Sequence, residues 1–115
     1  MSCLFDSISH FFVDATSANI RNEICNYLEA NQPIFDDLDT LLILEIIDPN
    51  YIRHMRNPNT WGGGIEISAA CNIWSLTIVI HRDGYPPIIF EPLNHKAKHV
   101  INIFYTGNHY EPIKI

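Results

Sequence analysis

A cysteine near the start of the chain and a histidine near its end are the residues best suited to covalent chemistry. Cys3 opens a segment that predicts the first turns of a helix, and His109 follows a segment that predicts a strand. A thiol at a helix N-terminus faces unpaired N–H groups and the positive end of the dipole, which favour the thiolate. A neighbouring imidazole could keep the thiolate ionised and later deliver a proton, as in a cysteine hydrolase. Only a folded chain can bring two such distant residues together.

Glu111 is the candidate third member of this arrangement. Residues i and i+2 of a strand point to one face, so the carboxylate of Glu111 can lie beside His109 and fix its tautomer. The alternative is a solvated glutamate near the end of the chain. Asn108 would point to the opposite face of a regular strand, and we rank it lower as a triad member. Cys25 and Cys71 stand among apolar neighbours within predicted helices, which indicates inert core thiols.

Two further groups of polar residues could take part in metal binding or catalysis. His95 and His99 are four residues apart, a metal-ligand spacing if they share a helical face. Lys96 and Lys98 would repel a cation, and no further ligands complete the set, so we predict neither a metal nor any other cofactor. Asp6 follows the candidate nucleophile by one turn, and we expect it to point away from the sulfur, because a carboxylate there would disfavour the thiolate.

The composition indicates one globular domain spanning residues 1–115. The chain is 47% hydrophobic and 17% charged, which argues against disorder. The net charge of −6 and the scattered basic residues argue against a nucleic-acid partner. Apolar runs too short to span a membrane, and the lack of a signal-peptide pattern, argue against a membrane location. Three cysteines without close spacing fit a reducing compartment, so we expect a cytoplasmic monomer, or a protein of the host cytosol if the chain is viral or an effector.

Helical patterns come first along the chain and strand patterns last, which predicts an α+β fold with helices packed against a small, mostly antiparallel sheet. On the second helix, Ile20, Ile24 and Leu28 form an apolar stripe, and Thr16 or Ser17 is the expected N-cap. The predicted helices are 3–12, 18–30, 37–47, a short one after Pro49, and 65–73. The predicted strands are 76–81, 88–90, 100–105 and 110–115.

The loop 57–64 contains three consecutive glycines after a tryptophan. Glycines in a row are entropically costly, so the backbone there is expected to adopt unusual angles or to let another chain approach closely. The structural alternative is a plain turn with Trp61 in the core, and both can hold at once.

Five motifs, in order along nearly the whole chain, resemble the ovarian tumour (OTU) family of cysteine proteases. They are Cys3-Leu4-Phe5 with Ser7-Ile8, Ile20-Arg21, Tyr51-Ile52 with Met55, Thr60-Trp61-Gly62-Gly63 with Ile65-Glu66, and Gly107-Asn108-His109-Tyr110.

This resemblance implies a papain-like fold and hydrolysis of isopeptide bonds at the C-terminus of ubiquitin, with ubiquitin or polyubiquitin chains as the partner. The implied nucleophile is Cys3, and His109 and Glu111 complete the catalytic triad. The residues expected to bind the diglycine tail of ubiquitin are Trp61, Gly62, Gly63, Asn108 and Tyr110.

Two departures from the family pattern shape the alternatives. The family usually carries Asp-Gly-Asn directly before the cysteine, where the loop helps to build the oxyanion hole, and here only Met1 and Ser2 precede Cys3. Loss of one oxyanion donor costs roughly 100- to 1,000-fold in rate. The family usually has Asp or Asn where this chain has Glu111. The alternative function is therefore a catalytically impaired ubiquitin-binding module, and a helical scaffold without a ubiquitin role ranks last.

Overall fold

The computed structural model describes residues 3–113, in which helices precede strands as predicted. The helices are α1 (Cys3–Ser9), α2 (Ser17–Glu29), α3 (Thr40–Ile47), α4 (Tyr51–Met55) and α5 (Gly64–Trp74). The strands are β1 (Leu76–Arg82), β2 (Tyr85–Phe90), β3 (His99–Tyr105) and β4 (Tyr110–Pro112). The α+β class is confirmed. Lys114 and Ile115, which the last predicted strand includes, and Met1 and Ser2, which precede the cysteine, lie outside the described residues.

Two helices are shorter than the sequence predicts. The first ends at Ser9, because the amide of Phe11 already bonds three residues back, to the carbonyl of Ile8, in a tighter turn. The third begins at Thr40 and not at residue 37, because Asp37 has a left-handed φ of 58° that no α-helix continues. Asp39 supplies the N-cap there, its carboxylate accepting from the amide of Leu42 at 3.2 Å.

The second helix has the cap and the buried stripe that the sequence predicts. The hydroxyl of Thr16 accepts a hydrogen bond from the amide of Asn19 at 3.1 Å, which identifies Thr16 as the N-cap. Ile20, Ile24 and Leu28 are all buried. They anchor α2 against α1 and α5, the helices on which the candidate site is built.

The four strands form one sheet in the order β2-β1-β3-β4. Two of the three strand pairs are antiparallel, in keeping with the prediction, whereas β1 and β3 run parallel. The chain leaves β2 beside the start of β1, where the amide of Lys98 donates to the carbonyl of Ser75 at 2.7 Å. A strand that starts there, on the far side of β1, runs in the same direction as β1.

The second strand starts at Tyr85, three residues earlier than predicted. Pro86 and Pro87 are tolerated because β2 is an edge strand and both fall where its register with β1 shifts, between the pairs Ile80–Ile88 and Arg82–Tyr85. The turn before it contains Gly84, whose φ of 78° suits glycine.

The core lies between the helices and one face of the sheet. Its contributors from α1 are Leu4, Phe5 and Ile8, and those from the central strands include Ile78 and Ile103. Packing of α1 against β4 brings the two ends of the described chain together. No helix within residues 3–113 is long and apolar enough to cross a membrane.

Candidate active site

A cavity of about 700 Å³ opens where α1, the loop before α5 and the turn before β4 meet. Most of the sequence-predicted site residues lie around it. Its lining residues are Cys3, Asp6, Ser7, His10, Trp61, Asn108, His109, Tyr110, Glu111 and Pro112.

Cys3 stands at the first position of α1, half-buried at the wall of this cavity. Leu4 and Phe5, directly after it, are buried in the core and hold the start of the helix in place. The backbone carbonyl of Cys3 accepts a hydrogen bond from the Ser7 hydroxyl at 2.8 Å. The sulfur is therefore carried on a fixed backbone with access to the cavity.

The other two cysteines are fully buried, as predicted. Burial raises the pKa of Cys25 to about 11 and that of Cys71 to about 12. Both remain protonated thiols at neutral pH, whereas Cys3 lines the cavity.

His109 and Glu111 lie side by side, as the i, i+2 spacing predicts. Nε2 of His109 is 3.7 Å from Oε1 of Glu111, and both side chains are more than half exposed. This is an ion-pair distance and not a hydrogen bond. Nε2, and not Nδ1, is therefore the ring nitrogen that faces the carboxylate.

A tight turn presents the histidine. The carbonyl of His109 accepts from the amide of Thr106 at 2.9 Å, and Gly107 has a φ of 110°, which favours glycine. The amide oxygen of Asn108 accepts from the Thr106 hydroxyl at 3.0 Å. Asn108 therefore braces the turn from within while lining the cavity.

Tyr110 forms part of the same wall, with its ring 4.7 Å from that of Tyr105. Burial, followed by the neighbouring Tyr105 and Cys3, raises the pKa of Tyr110 to about 12. The phenol is therefore neutral at physiological pH and keeps its O–H as a donor. The hydroxyl of Tyr105 donates to the carbonyl of Gly107 at 2.7 Å and ties the tyrosine pair to the histidine turn.

The glycine loop contributes Trp61, but not its glycines, to the cavity lining. Trp61 is 43% exposed. Gly62 lies against α1 instead: a Cβ there would be 2.8 Å from Cδ2 of Leu4 and 2.9 Å from Cζ of Phe5. Gly63 has open space around it, and its N–H donates to Oε1 of Glu66 at 2.7 Å. Close approach does explain Gly62, because its neighbour is α1, the helix that carries Cys3.

The burial of Arg21 and Glu66 beneath this loop was not predicted from the sequence. Arg21 is 4% exposed and Glu66 is 1% exposed. The guanidinium donates to the carbonyls of Met55 and Thr60 at 2.7 and 2.8 Å, and Glu66 accepts from the Tyr51 hydroxyl at 2.6 Å. Burial lowers the pKa of Arg21 and raises the pKa of Glu66. One feature of the sequence does indicate the burial of Arg21. It falls beside the apolar stripe of α2, and a cation buried there needs hydrogen-bond partners.

The structure also places Asp6 and the two histidines that are four residues apart in the sequence. Asp6 lines the same cavity as the cysteine, because residues three apart share a helix face. His95 and His99 do not share a helical face: His95 lies in a loop with its Nε2 2.9 Å from the Ser75 hydroxyl, and His99 begins β3. Within residues 3–113, no three His, Cys, Asp or Glu residues are grouped so that they could hold a metal ion.

The chain belongs to the OTU-like cysteine protease family, whose model matches residues 2–110. It is 28% identical over 120 residues to OTU domain-containing protein 4 of Homo sapiens, covering 98% of this chain and 10% of that protein. It is 28% identical over 127 residues to ubiquitin thioesterase otu2 of Schizosaccharomyces pombe, covering 97% of this chain and 42% of that protein. The chain thus spans less than half the length of either relative.

Solved structures confirm the OTU fold. An OTU domain in complex with ubiquitin superposes with a TM-score of 0.73 at 24% identity, covering 96% of this chain and 62% of that one. The OTU domain of OTUD1 gives 0.77 at 14% identity, covering 99% and 79%. An OTU deubiquitinase from Wolbachia pipientis wMel, bound to ubiquitin, gives 0.70 at 14% identity, covering 98% and 89%.

Proposed function

We propose that this protein is a deubiquitinating cysteine protease that hydrolyses isopeptide bonds at the C-terminus of ubiquitin. The observation that carries the proposal is the shared cavity of Cys3, His109 and Glu111 in a chain of the OTU-like cysteine protease family. The similar structures that contain ubiquitin, and the relative named a ubiquitin thioesterase, support ubiquitin as the substrate.

In this mechanism the thiolate of Cys3 attacks the carbonyl carbon of the terminal glycine of ubiquitin. The tetrahedral intermediate collapses when the C–N bond breaks, and the imidazolium of His109 gives its proton to the departing lysine amine. A water molecule, deprotonated by His109, then hydrolyses the thioester. This releases the ubiquitin carboxylate and restores the thiol.

Glu111 orients the imidazole and stabilises its charged form through Nε2. Trp61 forms an aromatic wall beside which a tail without side chains can pass. Tyr110 and Asn108 bound the cavity on the histidine side, where they contact the same tail.

The test is cleavage of a panel of di-ubiquitins by the wild-type chain, by Cys3→Ala and by Cys25→Ala, a control that removes a thiol outside the cavity. We expect Cys3→Ala to abolish cleavage and Cys25→Ala to retain it. A ubiquitin probe with an electrophilic C-terminus should label Cys3, as mapped by peptide mass spectrometry. Cleavage or labelling that survives Cys3→Ala would overturn the proposal.

The second candidate is a ubiquitin-binding module with little catalysis. The long, solvent-exposed contact between His109 and Glu111 favours it, since such a contact holds the imidazole only loosely. It predicts measurable ubiquitin affinity, equal in the wild type and in Cys3→Ala, with no cleavage of any linkage.

A further inference from the structure

We propose that Arg21, together with Glu66, is a positioning residue. It holds the Trp61 loop (residues 57–63, between α4 and α5) against α1, the helix that carries the nucleophile Cys3. Its importance for turnover rests on the proposed function, whereas its effect on the loop can be measured without ubiquitin. Neither residue lines the cavity, so both act through Trp61.

The guanidinium of Arg21 binds the backbone on the N-terminal side of the loop. Nη1 donates to the carbonyl of Met55 at 2.7 Å, and Nη2 donates to the carbonyls of Pro58 and Thr60 at 3.3 and 2.8 Å. Thr60 directly precedes Trp61. The fork of one buried side chain therefore fixes the path of the backbone into the tryptophan.

Cζ of the same guanidinium lies over the ring of Phe5, 4.2 Å from its centroid. Phe5 belongs to α1, two residues after Cys3, and is fully buried. On the other side of the tryptophan, Gly62 packs against this same ring. Arg21 thus joins the loop that carries Trp61 to the helix that carries Cys3, and Trp61 and Cys3 both line the cavity.

Glu66 holds the C-terminal side of the loop. Its Oε1 accepts from the N–H of Gly63 at 2.7 Å, and its Oε2 accepts from the hydroxyl of Tyr51 at 2.6 Å. The buried charges of Arg21 and Glu66 also stabilise one another. Trp61 therefore lies on a short segment that is fixed at both ends.

A lysine cannot replace this arginine. A guanidinium is planar, so it can stack on an aromatic ring while its fork donates in the ring plane to several carbonyls. The ammonium group of a lysine is not planar, so it cannot stack on the ring of Phe5, and it cannot reach all the carbonyls that Arg21 binds. Arg21→Lys keeps the charge and loses the geometry, which makes it the informative substitution.

A loosened loop has to be ordered again each time a substrate tail binds, so the apparent affinity falls while the chemistry at the sulfur is unchanged. With one charge-assisted hydrogen bond lost, we expect KM for a ubiquitin-derived substrate to rise about 10-fold, with kcat nearly unchanged. The rate at which iodoacetamide alkylates Cys3 should stay the same, because so small a reagent does not need the Trp61 wall.

The loop itself can be observed by fluorescence. The chain has two tryptophans, so a Trp74→Phe background leaves Trp61 as the only reporter. Trp74 packs its ring 5.3 Å from that of Phe12, and a phenylalanine retains an aromatic contact there. In this background, Arg21→Lys should increase the quenching of Trp61 by acrylamide.

Arg56→Lys is the matched control, because Arg56 also bonds to α2, through Asn22 and Asn26 at 2.8 and 2.9 Å. Quenching and KM equal to those of this control would overturn the proposal. If Arg21→Lys fails to fold, the quenching of Trp61 is measured in Glu66→Gln, which weakens the other end of the loop. Unchanged quenching in Glu66→Gln would also overturn the proposal. Increased quenching in a chain that cleaves no ubiquitin would refute the proposed function and uphold the role in the loop.

Discussion

Gly62 offers the sharpest test of how the loop around Trp61 packs on α1, the helix that carries Cys3. A Cβ at this position would lie 2.8 Å from Cδ2 of Leu4, and 2.9 and 3.1 Å from Cζ and Cε2 of Phe5. These distances are shorter than carbon–carbon contact allows, which is optimal near 3.5–4.0 Å. Leu4 and Phe5 are 1% and 0% exposed, so neither side chain can turn out into solvent to make room.

Gly62→Ala should therefore behave as an overpacked core substitution. Forcing one extra methyl group into a closed core costs about 1–3 kcal/mol in the free energy of unfolding. For a domain of this size, each kcal/mol corresponds to about 4 °C in Tm. The cost arises from contact and not from backbone conformation, because the left-handed φ values among the glycines are those of Gly84 and Gly107.

The measurement is urea denaturation followed by tryptophan fluorescence, with Gly64→Ala as the matched control. A Cβ on Gly64 would be 3.9 Å from Phe90, an ordinary contact, and Gly64 is the first residue of α5. An alanine there should leave stability unchanged or raise it by up to about 1 kcal/mol. Equal unfolding midpoints for the two variants would refute the reasoning, because only one of them meets the buried side chains of α1.

Glu111→Gln should slow ubiquitin cleavage by no more than about 5-fold, because an exposed ion pair contributes at most about 1 kcal/mol; an unchanged rate would remove Glu111 from the mechanism. The free energy of unfolding should fall as the pH rises from 9 towards 11. Burial raises the pKa of Cys25 to about 11 and that of Cys71 to about 12, whereas in the unfolded chain both thiols ionise near pH 9. The unfolded state therefore loses protons first and is favoured as the pH rises. Urea titrations across this range check the sign, and stability that rises would contradict it. Thr16→Ala should cost about 1 kcal/mol in urea unfolding and Ser17→Ala much less, since Thr16 caps α2.

Patterns with a local period were predictable from the sequence. The apolar stripe of α2 and the order of helices before strands each follow from side-chain types a few residues apart. The meeting of Cys3 with His109 came from the resemblance of their motifs to one family, since nothing local connects the two ends of a chain.

The rest depends on tertiary contacts. Charged residues are rarely buried, so Arg21 and Glu66 are not expected in the core. The apolar stripe beside Arg21 is a hint of its burial, but the carbonyls that hold it have no sequence signature. The parallel pairing of β1 with β3 depends on where the chain leaves β2, which the strand patterns do not encode. The 3.7 Å between His109 and Glu111 depends on side-chain torsions that spacing alone leaves open.

The shortness of β4 has a consequence for the kinetics of the site. This strand spans only Tyr110–Pro112 and lies at the edge of the sheet, where it pairs with β3 on one side alone. Short edge segments open with a lower free energy than the global unfolding of the domain. Such an opening would carry His109 and Glu111 away from Cys3 while the core stays intact. The lifetime of the closed cavity wall would then be limited by the local unfolding of this three-residue segment, and native-state hydrogen exchange at Glu111, which lies in a hydrogen-bonded pair with Phe104, would report it directly.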